Sequence, residues 1–370
     1  MDEIYSIREI SRITCVVHQR LSARLADFLR VSGVNTVFAR NGRSVRHFVK
    51  KRPFFIPGSS VSLQDSSSDI FQFTLPRKFC ENMMSGVVEV CGLEEGGRGT
   101  VYSQDMVMYG GHEPNIPDIK EYVEPHFHDD LACITAILSM RGSADVCAGL
   151  ALELGTCVPV ITHGHGTGMR DKLGLLRITI PPEKELITLL APQHDADGII
   201  RMLVEGAKLD KPGRGIIYRT TVASGLTDTR IHIGHQKYAA SMEQIIAALD
   251  KLHFGTSWRH RFADNENLRW SHQLVSGNKE VNVICPEGVV KNLTGIAMEN
   301  GAGGATTSTL RRTAISDNVP GAAAYEQSTL IIDSQKADSV IKALLASKEF
   351  KEAAGSFITI TDAPAAFTYR

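Results

Sequence analysis

Apolar positions along the chain alternate between two periods. The run Ile13-Thr14-Cys15-Val16-Val17-His18 is β-branched and predicts a strand over 13–18. Leu21, Leu25, Phe28 and Leu29 follow at i, i+4, i+7 and i+8, one face of a helix that Gly33 ends. Further strands are predicted over 35–40 and 69–75, the latter carrying Ile70, Phe71 and Phe73, then a helix over 76–91 and a strand over 100–105. The same succession returns as a strand over 131–138, a helix over 143–154 (Val146, Leu150, Leu154 in line) and a strand over 157–163. An apolar hairpin over 175–190, a helix with Ile200, Leu203, Val204 and Ala207 on one face, and a strand over 216–222 complete it. A third round is legible in a strand over 280–285, a helix marked by Val289, Leu293, Ile296 and Ala297, and strands over 304–315 and 327–333. A helix through Ala337, Val340, Ile341, Leu344 and Leu345 and a strand over 356–361 close it.

The repeat is also visible residue by residue. Leu93-Glu94-Glu95-Gly96-Gly97-Arg98-Gly99-Thr100-Val101-Tyr102 matches Leu209-Asp210-Lys211-Pro212-Gly213-Arg214-Gly215-Ile216-Ile217-Tyr218 at a constant offset of 116 residues, each copy between a helix and a strand. The expected fold is therefore α+β, three ferredoxin-like (βαββαβ) repeats, each a four-stranded antiparallel sheet with both helices on one face. Cys133, Ile134, Ala136, Ile137 and Leu138 are apolar on both sides of their strand, so the uncovered sheet faces are expected to shield one another in an intramolecular pseudo-trimer. The first unit takes 8–111, a linker with Pro114, Pro117 and Pro125 takes 112–130, and the second unit takes 131–233. A linker over 234–279 carries an amphipathic helix (Tyr238, Met242, Ile245, Ile246, Leu249, Leu252), then Trp258-Arg259-His260-Arg261-Phe262, and 280–370 is the third unit.

Composition narrows the function classes. The chain has 370 residues, 43% hydrophobic and 22% charged, which is globular, and 40 Lys plus Arg against 41 Asp plus Glu give a net charge of -1. That balance argues against a general nucleic-acid or acidic-membrane binder. There is no apolar run of membrane-spanning length and no signal-like start at Met1-Asp2-Glu3-Ile4, so a cytoplasmic location and no membrane span are expected. The 7 cysteines lack CxxC spacing and read as buried reduced thiols.

The stretch Gly206-Ala207-Lys208-Leu209-Asp210-Lys211-Pro212-Gly213-Arg214-Gly215-Ile216-Ile217-Tyr218 resembles the nucleotide-contacting B-loop of the PII-type nitrogen regulatory signal proteins. Residues 41–68, 163–173 and 316–326 stand at that family's T-loop position, and 103–111 and 219–230 at its C-terminal loop. The resemblance implies three fused PII-like units, a regulatory protein rather than an enzyme, with ATP or ADP in clefts between units and signalling through loops to a partner protein. The ligand contacts it implies are Gly96, Gly97, Arg98 and Gly99 in the first unit, Lys211, Gly213, Arg214 and Gly215 in the second, and Gly164, Gly166, Gly168 and Arg230 beside them. The chain departs from the family where Thr100 and Ile216 replace a basic residue, where 350–356 holds a single glycine in the third unit, and in having no Tyr at a T-loop tip for uridylylation.

Physical chemistry supports part of this. Glycines reach positive φ and let backbone N–H groups converge on an anion, while Arg adds a permanent bidentate donor, though the same glycines also suit an ordinary turn. Arg40, Arg43, Arg46, Lys50, Lys51 and Arg52 run without an acid and suit an acidic partner or a solvated arm. His163 and His165, with Asp171, offer ligands for a metal sensor or metal-dependent enzyme, and a ligand-free scaffold is the other alternative. Gly301-Ala302-Gly303-Gly304 reads as a helix stop or a ligand-side turn, and His126, His128 and Asp129 as a polar linker. No Walker-type loop, nucleophile elbow or triad spacing occurs, so catalytic residues are expected to be none.

Overall fold

The computed structural model describes residues 7–34, 36–51, 59–114, 116–154, 156–168, 183–228, 274–313 and 324–369. The first stretch of chain forms β1 (Ile7–His18), α1 (Ser22–Val31), β2 (Val37–Lys51), β3 (Ser59–Leu75), α2 (Cys80–Cys91) and β4 (Gly99–Gly110). The second forms β5 (Leu131–Leu138), α3 (Ser143–Glu153), β6 (Val160–Gly168), β7 (Glu183–Pro192), α4 (Ala196–Ala207), β8 (Gly215–Thr221) and the short β9 (Ser224–Leu226). The last forms β10 (Asn278–Pro286), α5 (Val290–Glu299), β11 (Gly304–Thr313), β12 (Ala324–Asp333), α6 (Ser334–Ala346), α7 (Lys348–Glu352), β13 (Phe357–Ala363) and β14 (Ala365–Thr368).

The expectation of three ferredoxin-like repeats packed as a pseudo-trimer is corrected by the strand pairing. The strands form one antiparallel sheet of 14, in the order β11-β12-β10-β13-β4-β1-β3-β2-β6-β7-β5-β8-β14, with β9 beside β4. Sequence periodicity locates strands but carries no information on which edge meets which. Here β13 joins β4 through Phe357↔Gly110 to Ile360↔Val107, β8 joins β14, and β11 also pairs with β2 and β6. An unpaired edge exposes a row of N–H and C=O groups, and continuing the sheet across these seams satisfies them.

Both faces of the sheet are buried, each in its own way. In β1 the side chains of Ile13, Cys15 and Val17 pack with Leu25 and Leu29 of α1 and Met83, Met84 and Val87 of α2. The alternate positions Ile10, Arg12, Thr14 and Val16 face away from those helices, where Ile10 joins Phe38, Met106, Leu310, Tyr325 and Phe357. α3 and α4 cover β5 and β7, while α5 and α6 cover β10 and β12. All seven cysteines are buried free thiols. Burial pushes Cys80, Cys91 and Cys133 up to about 11, and Cys147 and Cys285 up to about 12, so these five are protonated at neutral pH and are not nucleophiles.

Two local expectations also change. Most of 41–68 is not a loop, because β2 and β3 pair from Val37↔Phe73 out to Lys51↔Ser59. His163-Gly164-His165-Gly166-Thr167-Gly168 lies in β6 rather than a loop. The 112–130 stretch is tied down on the helices, where Asn82 Nδ2 donates to the Lys120 carbonyl at 2.9 Å and the Tyr122 ring meets Phe28 edge-on at 6.0 Å. The helix expected in 234–279 lies outside the described residues. No helix among the described residues is long and apolar enough to cross a membrane.

The 116-residue offset holds in space. Gly97 and Gly213 have φ 90° and 73°, and Gly99 and Gly215 have φ 150° and 143°. A Cβ at Gly99 would stand 2.1 Å from the Val16 carbonyl oxygen, and one at Gly215 2.1 Å from that of Ile137. Gly99→Ala and Gly215→Ala should therefore each destabilise the chain by about 2–4 kcal/mol in urea unfolding. Gly198→Ala, a helical position with nothing within 4 Å of the added Cβ, should stabilise it by about 0.5–1 kcal/mol.

Candidate functional site

At the first glycine hairpin, α2 ends on Gly92 in the left-handed conformation at φ 62°. The chain then turns back so that the Arg98 carbonyl accepts from His18 N–H at 2.9 Å. Arg98 does not reach outward for a ligand. Its Nη1 donates to the Cys91 carbonyl at 3.3 Å, completing the helix end, and its Nη2 to Glu95 Oε2 at 2.6 Å. The anion-binding geometry expected of the glycines is present, but the anion is the protein's own. Gly97 N–H donates to both carboxylate oxygens of Asp228 at 3.2 and 3.0 Å, and Arg46 Nη2 donates to Oδ2 at 2.6 Å. The Asp228 carboxylate side chain is only 2% exposed. Its backbone is held too: Thr100 Oγ1 accepts from Asp228 N–H at 3.0 Å, and Val158 N–H donates to the Asp228 carbonyl at 2.9 Å. Thr100, which stands where the family has a basic residue, thus anchors this chain segment.

An open polar groove of about 1340 Å³, open solvent included, adjoins the hairpin, bounded by His18, Arg20, Arg46, Gln64, Asp65, Gly96 and Gly97. Burial lowers the His18 pKa below its ordinary value, and Arg20 and Arg46 push it the same way.

The second hairpin repeats the backbone path: the Arg214 carbonyl accepts from Ser139 N–H at 2.9 Å, and Lys208 takes the left-handed cap position at φ 54°. Lys211 is exposed, Gly213, Arg214 and Gly215 half-buried, and Ile216 starts the pairing with β14 at Thr368. Gly164, Gly166 and Gly168 serve strand packing. Gly166 pairs with Thr306 and Gly168 with Gly304 of β11, and a Cβ at Gly164 would stand 2.8 Å from the Thr307 carbonyl oxygen. Arg230 and Asp171 lie outside the described residues. His163 and His165 are exposed on β6, and no group of three or more His, Cys, Asp or Glu among the described residues is placed to hold a metal ion. Gly301-Ala302 ends α5, with Ala302 N–H on the Ala297 carbonyl at 3.0 Å. The basic run is largely neutralised in its described part, since Arg43 meets Asp65 at 2.9 Å and Asp145 at 2.6 Å and Arg46 meets Asp228.

A different site lies on the seam where β13 meets β4 and β11 meets β2. This narrow cleft has an empty volume of about 710 Å³ with its mouth included. Its wall is aromatic: Phe38 stands 5.2 Å from Tyr325 at 62° and 5.9 Å from Phe357 at 35°. Polar groups enter from Arg12, Gln72, Gln327 and Thr359, with Arg312 and His112 also lining it. Arg12 is oriented from behind by Gln104 Oε1 at 2.8 Å and Glu280 Oε1 at 3.4 Å. Glu280 is in turn fixed by Asn282 Nδ2 at 2.6 Å, and Asn282 Oδ1 accepts from Gln327 Nε2 at 2.8 Å and Thr329 Oγ1 at 2.6 Å. Arg12 Nε and Thr359 Oγ1 are buried without a hydrogen-bond partner. Buried polar atoms are nearly always paired, so two such atoms on residues that line one cleft suit a ligand with polar groups. Sequence reasoning missed this site because its residues run from Arg12 to Thr359 and converge only through the seam.

Compared with protein-family models and with curated protein sequences, the chain gives no match.

Removing Asp228 separates structure from ligand binding at the first hairpin. Asp228→Ala leaves the Arg46 guanidinium and Gly97 N–H without their acceptor, and urea unfolding should register a loss of about 3–5 kcal/mol. A loss under about 1 kcal/mol would mean that the carboxylate is not a structural clamp.

Proposed function

We propose that the chain is a regulatory protein that binds a small, flat, anionic ligand in the aromatic seam cleft, with ATP or ADP as the leading candidates. The observation that carries this reading is the pair of unpartnered buried donors, Arg12 Nε and Thr359 Oγ1, beside Phe38, Tyr325 and Phe357. At the first hairpin Gly97 N–H and Arg46 Nη2 already hold the Asp228 carboxylate, whereas Arg12 Nε and Thr359 Oγ1 of the cleft residues have no partner, and that difference favours the seam over this hairpin. A base would lie against the aromatic rings, and its phosphates would meet Arg312 and His112 near the turn after β4.

Signalling follows from where the cleft lies. Phe38 and Phe73, at the base of the long β2–β3 hairpin, line it, so a ligand that contacts them differently in two hairpin arrangements shifts the population between those arrangements. A partner protein would read the hairpin. Asp228 favours a second reading, a ligand-free interaction protein, because it fills one of the two hairpins where an anion was expected.

Thermal shift and calorimetry with millimolar ATP and ADP decide between them. The nucleotide reading expects a rise in midpoint, with affinity reduced about ten- to a hundredfold in Arg312→Ala and by a smaller factor in Thr359→Val. A flat response to both nucleotides, or full affinity in both variants, overturns it and leaves the scaffold reading.

A further inference from the structure

The arginines of the run after β2 begins have three different fates. Arg43 is neutralised by Asp65 and Asp145, and Arg46 by Asp228. Arg40 has no carboxylate within ion-pair distance among the described residues, and its Nε is buried without a hydrogen-bond partner. Burial holds its pKa below the ordinary guanidinium value, Tyr102 opposes that shift, and Arg12 adds to it. The nearest acid by its field, Glu280, already pairs with Arg12 at 3.4 Å, so this part of the interior holds two guanidiniums for one carboxylate. A guanidinium does not escape by losing its proton, so a negative charge supplied from outside the chain would be favoured beside it.

The space beside Arg40 suits such a charge. A cavity of about 440 Å³, open space included, is lined by Arg40 together with the hydroxyl-bearing residues Thr14, Thr100, Tyr102, Thr162 and Thr188. It shares no lining residue with the seam cleft. Aliphatic residues and Cys157 complete its walls, and Arg40 itself is partly exposed. A guanidinium edge matches the two oxygens of a carboxylate, and hydroxyls supply further donors around it.

We propose that this cavity binds a small carboxylate, of formate to acetate size, on the Arg40 guanidinium and the surrounding threonine hydroxyls. The site is independent of the nucleotide reading, because Arg312 and the aromatic wall take no part in it.

The test uses the full chain in chloride-free buffer at fixed ionic strength, with ¹³C-labelled formate as the probe and its line width as the readout. Saturable broadening is expected. Its affinity should fall about tenfold or more in Arg40→Met and stay unchanged in Arg312→Ala. Should Arg40→Met fail to fold, Thr162→Val combined with Thr188→Val keeps the charge and should still lower the affinity severalfold. Absence of saturable broadening by the folded chain, or unchanged affinity in Arg40→Met or the double variant, overturns the proposal.

Discussion

Closing strand edges against one another is the constraint on which the rest of this molecule depends. A β-strand edge left open in a chain with so many strands would present rows of unpaired amides and carbonyls. Here β4 is continued by β13, β8 by β14, and β2 and β6 both by β11. With helices over one face, the other face becomes interior as well, so its polar residues lose water and must find partners among themselves. The chain Arg12–Glu280–Asn282–Gln327, with Gln104 bridging to Thr220 Oγ1 at 2.8 Å, is the result.

That closure also explains where binding capacity resides. Where the chain brings its own carboxylate, as Asp228 does for Gly97 N–H and Arg46 Nη2, the anion position is filled and the feature is structural. Where strands from distant parts of the chain meet without supplying an acceptor, donors are left over: Arg12 Nε and Thr359 Oγ1 in the seam cleft, and Arg40 Nε in the smaller cavity. The glycine hairpins hold their shape for packing reasons, since Gly99 and Gly215 press against the Val16 and Ile137 carbonyls.

Much of the element order was legible because apolar periodicity is local: Leu25 and Leu29 do face a core, as do Val340, Ile341 and Leu344. Pairing was not, because Tyr109 meets Ile358 across most of the chain and nothing in either strand names the other. The serine-rich 59–68 stretch reads as a loop by composition, yet Ser66, Ser67 and Ser68 pair with Ser44, Arg43 and Gly42. The glycines of β6 misled in the same way, since small residues that admit a neighbouring backbone look like loop residues. For the site, the conformation of the glycine hairpins could be read from sequence, but not the occupant of the first, because Asp228 lies 131 residues beyond Gly97.

The central claim, that the sheet runs unbroken across the seam between β4 and β13, is most directly tested by native-state amide hydrogen exchange along β13. An unbroken seam predicts that the β13 amides directed at β4 exchange as slowly as the amides of β10 that pair with β12, both opening only with global unfolding. Fast exchange on the β4 side of β13, with slow exchange on its β10 side, would mean an open edge and would contradict both the closed sheet and the cleft formed on it.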